Sequence, residues 1–341
     1  VVYNKVWNSW YRPLCEEKGY WDDQDLAVCA LNSPGIEQTS FAAIFCDEAQ
    51  DFTRNELRLI LRLSAFSRRK LTPDVLERIP FAFAGDPFQT LNPTGFDWER
   101  AKENLYWVIR NQLDRRENPR LEFNYRELAF NYRSANSIVQ VGNFIHLLRG
   151  IAFQRKGLTP QNAWSDAPSA EPVYYDSAGP LARTYLPQKG TDVLIVPCHE
   201  GEELEYVQND CFLATFALSD DKQALSHNVL SPMRAKGQEF DRVVLYGFGE
   251  ACVGDPQYRK LIDLIDPDVA KPGLTEDELI PLEYFINRLY VAASRAKKRL
   301  IIVDTKQGLE EFWRFFYDYK RENFVERYQA ISQNKASPWN A

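Results

Sequence analysis

No stretch of the chain is apolar over the roughly 18 residues that a membrane-crossing helix needs. The first twenty residues mix aromatics with charges and lack the charged-then-apolar order of a secretion signal. Together these absences point to a soluble, cytoplasmic protein. Histidine is scarce, with only His146, His199 and His227, and the six cysteines (Cys15, Cys29, Cys46, Cys198, Cys211, Cys252) stand singly with no CxxC pair. Metal ligation draws on clustered ligands, and disulfide frameworks belong to short secreted chains. The expectation is therefore no zinc site and six reduced thiols, in the core or at the surface. There is no internal repeat, no low-complexity tract and no compact acid–lysine nuclease motif. A surplus of basic charge is also missing. The net charge of −7 argues against nucleic-acid affinity as a bulk property but leaves room for a local basic track.

What is present is ample apolar material: 45% of the 341 residues are hydrophobic and 13% aromatic, enough for a sizeable core and, at this length, for two domains. Short apolar runs alternate with longer amphipathic stretches, the signature of an α/β architecture with parallel sheets. Phe41–Cys46 reads as a buried strand that ends abruptly in acids. Thr53–Phe66 reads as a helix with Leu57, Ile60, Leu61 and Ala65 on one face, capped by Thr53 with Glu56 three residues on. Pro80–Gly85 reads as a second strand, and Trp98–Leu113 as helical. Charge and a proline accumulate over Asp114–Arg120, which predicts a linker between a first domain (1–113) and a second (114–341). In the second, strands are expected at Leu128–Tyr132, Asp192–Pro197, Val243–Tyr246 and Leu300–Val303. Helices are expected at Ser134–Leu148, Glu283–Ala296 and Gly308–Tyr319. The proline-, serine- and alanine-rich Leu158–Glu171 reads as a surface loop.

Five strings carry candidate chemistry. Asp47-Glu48-Ala49-Gln50-Asp51 directly follows an apolar strand. Hydrolysis of a phosphoanhydride needs a carboxylate to hold Mg²⁺ and a second one to take the proton of the attacking water. Strand ends suit the task, because ligands of open α/β sheets sit beyond the carboxyl ends of strands. The competing reading is an acidic turn that caps the next helix. Gly85-Asp86-Pro87-Phe88-Gln89 also lies at a strand end. Its glutamine suits a sensor of nucleotide state, though glycine, aspartate and proline also make an ordinary turn. Asn131-Tyr132-Arg133-Ser134, Lys236-Gly237-Gln238-Glu239-Phe240 and the run Tyr290–Lys298 (YVAASRAKK) complete the set. Taken singly, these three read equally well as a capped helix start, a turn, and an amphipathic helix with a solvated basic end.

In this order, DEAQD, GDPFQ, NYRS, AKGQEF and YVAASRAKK resemble motifs II to VI of the UvrD/Rep-like superfamily 1 helicases, over residues 40 to 305. The resemblance implies two RecA-like parallel-sheet domains of the P-loop NTPase helicase fold, the first incomplete, with ATP and Mg²⁺ as cofactors. It implies that Asp47 holds Mg²⁺, Glu48 is the catalytic base and Gln89 contacts the γ-phosphate. Tyr132 stacks on the adenine, Glu239 binds the ribose, and Gly237 permits close backbone approach. Arg133 and Arg295 become arginine fingers, a device worth roughly 10³ to 10⁵ in rate in comparable systems. Closure and reopening around the nucleotide then ratchet the chain along a single strand. Lys236 is the candidate backbone contact on the nucleic acid. Phe96 and Trp98 are candidates to stack on bases, or else to pack in the domain core.

The chain departs from the family pattern in three places. It holds no GxxxxGK[ST], the loop whose amides and lysine cradle phosphates, and only 46 residues precede Asp47. The expectation is that the chain begins midway through the first motor domain; the alternative is a motor that has lost turnover. Ser231 and Met233 stand where the family often has threonine and histidine, and Met233 cannot donate to phosphate or base. Finally, about a hundred residues separate NYRS from AKGQEF, too few for the family's large accessory domain. The expected function is an ATP-dependent 3′-to-5′ DNA translocase or helicase acting on single-stranded or tailed DNA. Two alternatives stand beside it: an RNA-directed superfamily 1 motor, and a catalytically silent nucleic-acid-binding or docking module that partners a nuclease or another protein.

Overall fold

The computed structural model describes residues 3–38, 40–64, 81–91, 103, 126, 128–153, 160–164, 173–176, 192–266, 269 and 273–321. The chain divides into two compact units, Val1–Tyr125 and Arg126–Ala341. The segment 114–120, where a linker is expected, lies outside the described residues, as do Phe96, Trp98 and all of 98–113 except Glu103.

The first unit opens with a wide helical turn, Tyr3–Tyr11, that runs into helix α1 (Arg12–Lys18). Helix α1 ends at Gly19, whose φ of 67° gives the left-handed cap that a side chain resists. Helix α2 (Asp23–Asn32) starts on a capping box made by Asp22 and Asp25. Strand β1 (Ile44–Cys46) leads to helix α3 (Arg54–Leu63), and strand β2 (Phe81–Phe83) pairs with β1 in parallel, Ile44 opposite Phe81. The expected cap of α3 is present: the Thr53 side chain accepts from the Glu56 amide, and the Glu56 carboxylate accepts from the Thr53 amide. Leu57 and Leu61 are the buried face of α3, which packs on α2. The Gln24 side-chain oxygen accepts from Thr53 Oγ1 at 2.9 Å and ties the two helices at their amino ends.

Among the described residues, the second unit holds a five-stranded, wholly parallel sheet. Its strands are β5 (Val173–Asp176), β6 (Val193–Ile195), β7 (Val229–Leu230), β8 (Phe240–Tyr246) and β9 (Ala296–Asp304), in the order β5-β9-β8-β6-β7. Parallel sheets are covered on both faces, so their strands read as unbroken apolar runs. That is why VLI, VVLY and LIIV stand out in the sequence. One face (Leu194, Val196, Val244, Tyr246, Ile301, Val303) packs on Val207, Leu213 and Ala217. Against the other side lie helices α4 (Asn136–Phe153) and α9 (Glu276–Ala293), which also pack on each other. Between the two come α5 (Glu203–Asn209), the four-residue α6 (Pro232–Ala235), α7 (Phe248–Gly254) and α8 (Pro256–Ile265). The described residues end in a helical run from Lys306 to Arg321, with Phe312 and Trp313 buried.

A separate ribbon corrects one expectation. The stretch 158–171 is not loop throughout. Within it β4 (Asn162–Ala163) pairs in parallel with β3 (Phe130–Asn131). Two residues carry no periodic pattern, so the strand is invisible to sequence reading. It exists because Asn143 on α4 and the Gln161 backbone exchange hydrogen bonds of 3.0 and 2.9 Å, which pins this segment to the helix.

Candidate functional site

In the first unit, Asp47, Glu48 and Gln89 come together beyond the carboxyl ends of the paired strands β1 and β2. The two strand ends stay in register past the sheet: the Ala84 amide donates to Cys46 O at 2.8 Å, and the Ala49 amide to Ala84 O at 2.9 Å. The acids then turn sharply. Glu48 adopts a φ of 51°, the left-handed region that costs a residue with a Cβ about 1–2 kcal/mol, while its amide donates to Asp47 Oδ1 at 2.9 Å. Both carboxylates are exposed.

Sequence reading assigned Gln50 no role, yet it is the link in this corner. It is fully buried, its Nε2 donates to Glu48 Oε2, and its Oε1 accepts from the Asp86 amide at 2.9 Å. The side chain thus couples the DEAQD turn to the GDPFQ turn. Gly85 makes room for it, since a Cβ there would lie 2.5 Å from Gln50 Oε1 and 3.0 Å from the Ala49 amide nitrogen. In the second turn Asp86 caps the short helix Pro87–Gln89 through the Phe88 amide and accepts from Gln89 Nε2 at 3.0 Å. The signal for Gln50 was its place inside the acidic string.

Two adjacent exposed carboxylates suit a Mg²⁺ ion, which keeps most of its waters and takes one or two protein carboxylates beside phosphate oxygens. Among the described residues no group of three or more ligating side chains is placed to hold a metal by itself.

In the second unit, the remaining candidates gather around the amino ends of β8 and β9. The backbone ties the NYRS, AKGQEF and YVAASRAKK strings together: Ser134 Oγ donates to Ala296 O at 2.8 Å, the Ala135 amide to Lys297 O at 2.9 Å, and the Phe240 amide to Arg295 O at 2.9 Å. Arg133 and Glu239, expected in separate roles, form an ion pair with Nε 2.6 Å from Oε1, both about 40% exposed at 42% and 39%. Such a half-exposed pair is worth little by itself and opens readily. Gly237 has a φ of 75° and open space where a Cβ would stand, so glycine is required there for conformation and not for lack of room. Lys236 is half-buried where α6 ends.

Arg295 departs most from its expected place. It is buried, and its guanidinium turns inward, donating to Val291 O at 3.0 Å, Gln238 O at 3.3 Å and Ser294 Oγ at 3.0 Å. In this arrangement it fastens the end of α9 to the glycine turn. Ser231 keeps a structural hydroxyl: its Oγ accepts from the Arg234 amide, and its own amide donates to Glu203 Oε1 at 3.2 Å. Glu203 is buried; burial would raise its pKa, but hydrogen bonds from Ser231 and its own backbone and the Arg234 guanidinium hold it below the ordinary carboxylate value.

Tyr132 stands out from this edge, 65% exposed, and meets Trp164 at 4.8 Å between ring centroids. Trp164 was missed. It is the one aromatic in the segment 158–171, and only the β3–β4 pairing shows what it is near.

No family model matches the chain. A human protein, TPR and ankyrin repeat-containing protein 1, is 22% identical over 354 aligned residues, which take in 93% of this chain and 11% of that protein. The chain thus spans about a ninth of that relative's length. The two repeat types in its name are arrays of short helical units, whereas the described residues here build parallel sheets with helices packed on them.

Proposed function

We propose that this chain carries part of the ATP-hydrolysing and strand-tracking machinery of a superfamily 1 DNA motor, with both units RecA-like. One observation carries the reading: the DEAQD and GDPFQ turns lie side by side beyond the carboxyl ends of two paired parallel strands, coupled through Gln50. That is where an α/β sheet holds a phosphate ligand. Glycine and proline chemistry alone would not bring two acids and a glutamine from separate turns to one corner.

In this proposal Asp47 holds Mg²⁺, and Glu48 accepts the proton of the attacking water. Gln89 answers to the terminal phosphate, and Gln50 relays the state of one turn to the other. Tyr132 takes the base, Glu239 the ribose hydroxyls, and Arg133 the developing phosphate charge once its pair with Glu239 opens. Lys236 meets the nucleic-acid backbone. Arg295 serves as a finger only if its guanidinium leaves Val291 O and Gln238 O. The nucleotide supplies the anhydride whose cleavage drives the cycle. The 341 residues contain no GxxxxGK[ST], so the amides and lysine that cradle its phosphates are not among them.

The inward-turned Arg295 favours a second reading, a nucleic-acid-binding or docking module without turnover. DNA-stimulated ATP hydrolysis by the protein that contains this chain separates the two. The first reading expects activity that falls by about 10² to 10⁴ in Glu48→Gln, the contribution of a general base. Hydrolysis that survives that substitution contradicts the role of Glu48. A protein that binds strands without hydrolysis favours the second reading. Displacement assays on tailed DNA and RNA duplexes distinguish a DNA motor from an RNA-directed one and fix its polarity.

A further inference from the structure

The β3–β4 ribbon places three aromatic rings on one face. Side chains two apart on a strand share a face, so Phe130 and Tyr132 stand together. Asn131 lies opposite Ala163, so the next residues, Tyr132 and Trp164, stand side by side. Trp164 is the central ring: it meets Tyr132 at 4.8 Å, tilted by 38°, and Phe130 edge-on at 5.9 Å. All three stay open to solvent, at 46% for Phe130, 65% for Tyr132 and 63% for Trp164.

The backbone beneath them is fixed. The Trp164 amide donates to Asn131 O at 2.9 Å, and Asn131 Oδ1 accepts from the amides of Arg133 and Ser134 at 3.0 and 2.9 Å. A rigid, exposed aromatic ledge is what a nucleobase stacks on. Charge next to it narrows the occupant. The residue after Tyr132 is Arg133, a donor suited to phosphate, and its partner Glu239 is an acceptor suited to a ribose diol. Base-stacking surface, hydroxyl acceptor and phosphate donor together describe a single ribonucleotide better than a DNA strand, which has no ribose diol for Glu239 to accept from.

We infer that Trp164 is a nucleotide-contacting residue: with Tyr132 it forms a two-ring ledge for the purine of a purine nucleoside diphosphate or triphosphate, and it sets the tilt of the Tyr132 ring. This rests on the proposal above that Tyr132 takes the base. The indole extends the stacking surface beyond one phenol ring, so a two-ring purine gains more from it than a pyrimidine does.

The test is titration of the full chain with ADP, CDP and a dT oligonucleotide, read by tryptophan fluorescence and, independently, by equilibrium dialysis. ADP is expected to quench the emission saturably and CDP to bind more weakly. Trp164→Ala should weaken ADP binding roughly 5- to 100-fold, the range for loss of one stacked ring. Trp164→Phe should keep affinity within about threefold but lose most of the quench, a readout that folding effects do not mimic. Unchanged ADP affinity in Trp164→Ala, with affinity lost in Tyr132→Ala, overturns the inference and leaves the proposed function standing. Absence of ADP binding to the unaltered chain overturns the inference, while the proposed function stands or falls on the ATP-hydrolysis assay above. Quenching by the oligonucleotide but not by ADP makes the ledge a strand-stacking surface and also overturns the inference.

Discussion

Asp304 shows how much one buried side chain can decide. It sits at the end of β9, almost fully buried, and accepts from the amides of Gly249 (2.6 Å), Glu250 (2.9 Å) and Thr305 (3.0 Å) and from Trp313 Nε1 (2.9 Å). Burial outweighs these four donors and raises its pKa to about 6. The folded state therefore keeps a proton between the ordinary value near 4 and about 6, where the unfolded chain has lost it. This contribution to stability is fully present at the low-pH end and is lost as pH rises through about 6. Urea midpoints between pH 4.5 and 7 should show that decline, and Asp304→Asn should abolish it. The same substitution turns an amide group toward backbone N–H donors and should cost about 2–4 kcal/mol at pH 7, measured by urea unfolding. Gln50 makes the corresponding point in the first unit: a neutral, buried side chain inside an acidic string holds two turns together.

Between elements, the decisive contacts are made where chains approach closely. Gly85→Ala would press a methyl group onto Gln50 Oε1 and the backbone of Ala49. It should destabilise the first unit by about 1–3 kcal/mol in chemical denaturation and displace the two turns from each other. The pairing of α4 with α9 is fixed by Arg149, buried and bound to Glu283 and Asn287. Arg149→Ala empties a buried space and takes a donor from the buried Asn287 Oδ1, while the Glu283 carboxylate, 38% exposed, is left to water; the change should cost about 1–3 kcal/mol, whereas Arg149→Met, which fills the space without the charge, should cost less. The helices and strands themselves were largely legible. Thr53 with Glu56 announced the start of α3, and the short apolar runs Val243–Tyr246 and Leu300–Val303 read as buried strands and lie in β8 and β9. Strand β3 was expected within Leu128–Tyr132, but its partner β4 was not legible, because two-residue strands leave no period. What makes them is the Asn143–Gln161 amide exchange, a contact between residues 18 apart.

At the scale of the whole molecule, an acidic chain of net charge −7 has no general attraction for nucleic acid. If the proposed function holds, affinity for single-stranded DNA comes from a few local cations. Lys236→Ala should then weaken binding to all sequences alike and lower the slope of log affinity against log salt by about 0.7, the share of one phosphate contact on a single strand. Titration by fluorescence anisotropy at several salt concentrations checks this; an unaltered slope removes Lys236 from the interface. The sequence by itself determined the α/β class, the parallel strands and the placing of acids at strand ends, because burial on both faces and turn chemistry are local demands that each residue must satisfy. Only the tertiary structure decided which of the candidate residues touch: that Arg133 meets Glu239, that Arg295 points inward to Gln238, that Gln50 bridges two turns and that Trp164 leans on Tyr132. Side-chain partners far apart in the chain are chosen by packing, and no spacing along the sequence encodes that choice.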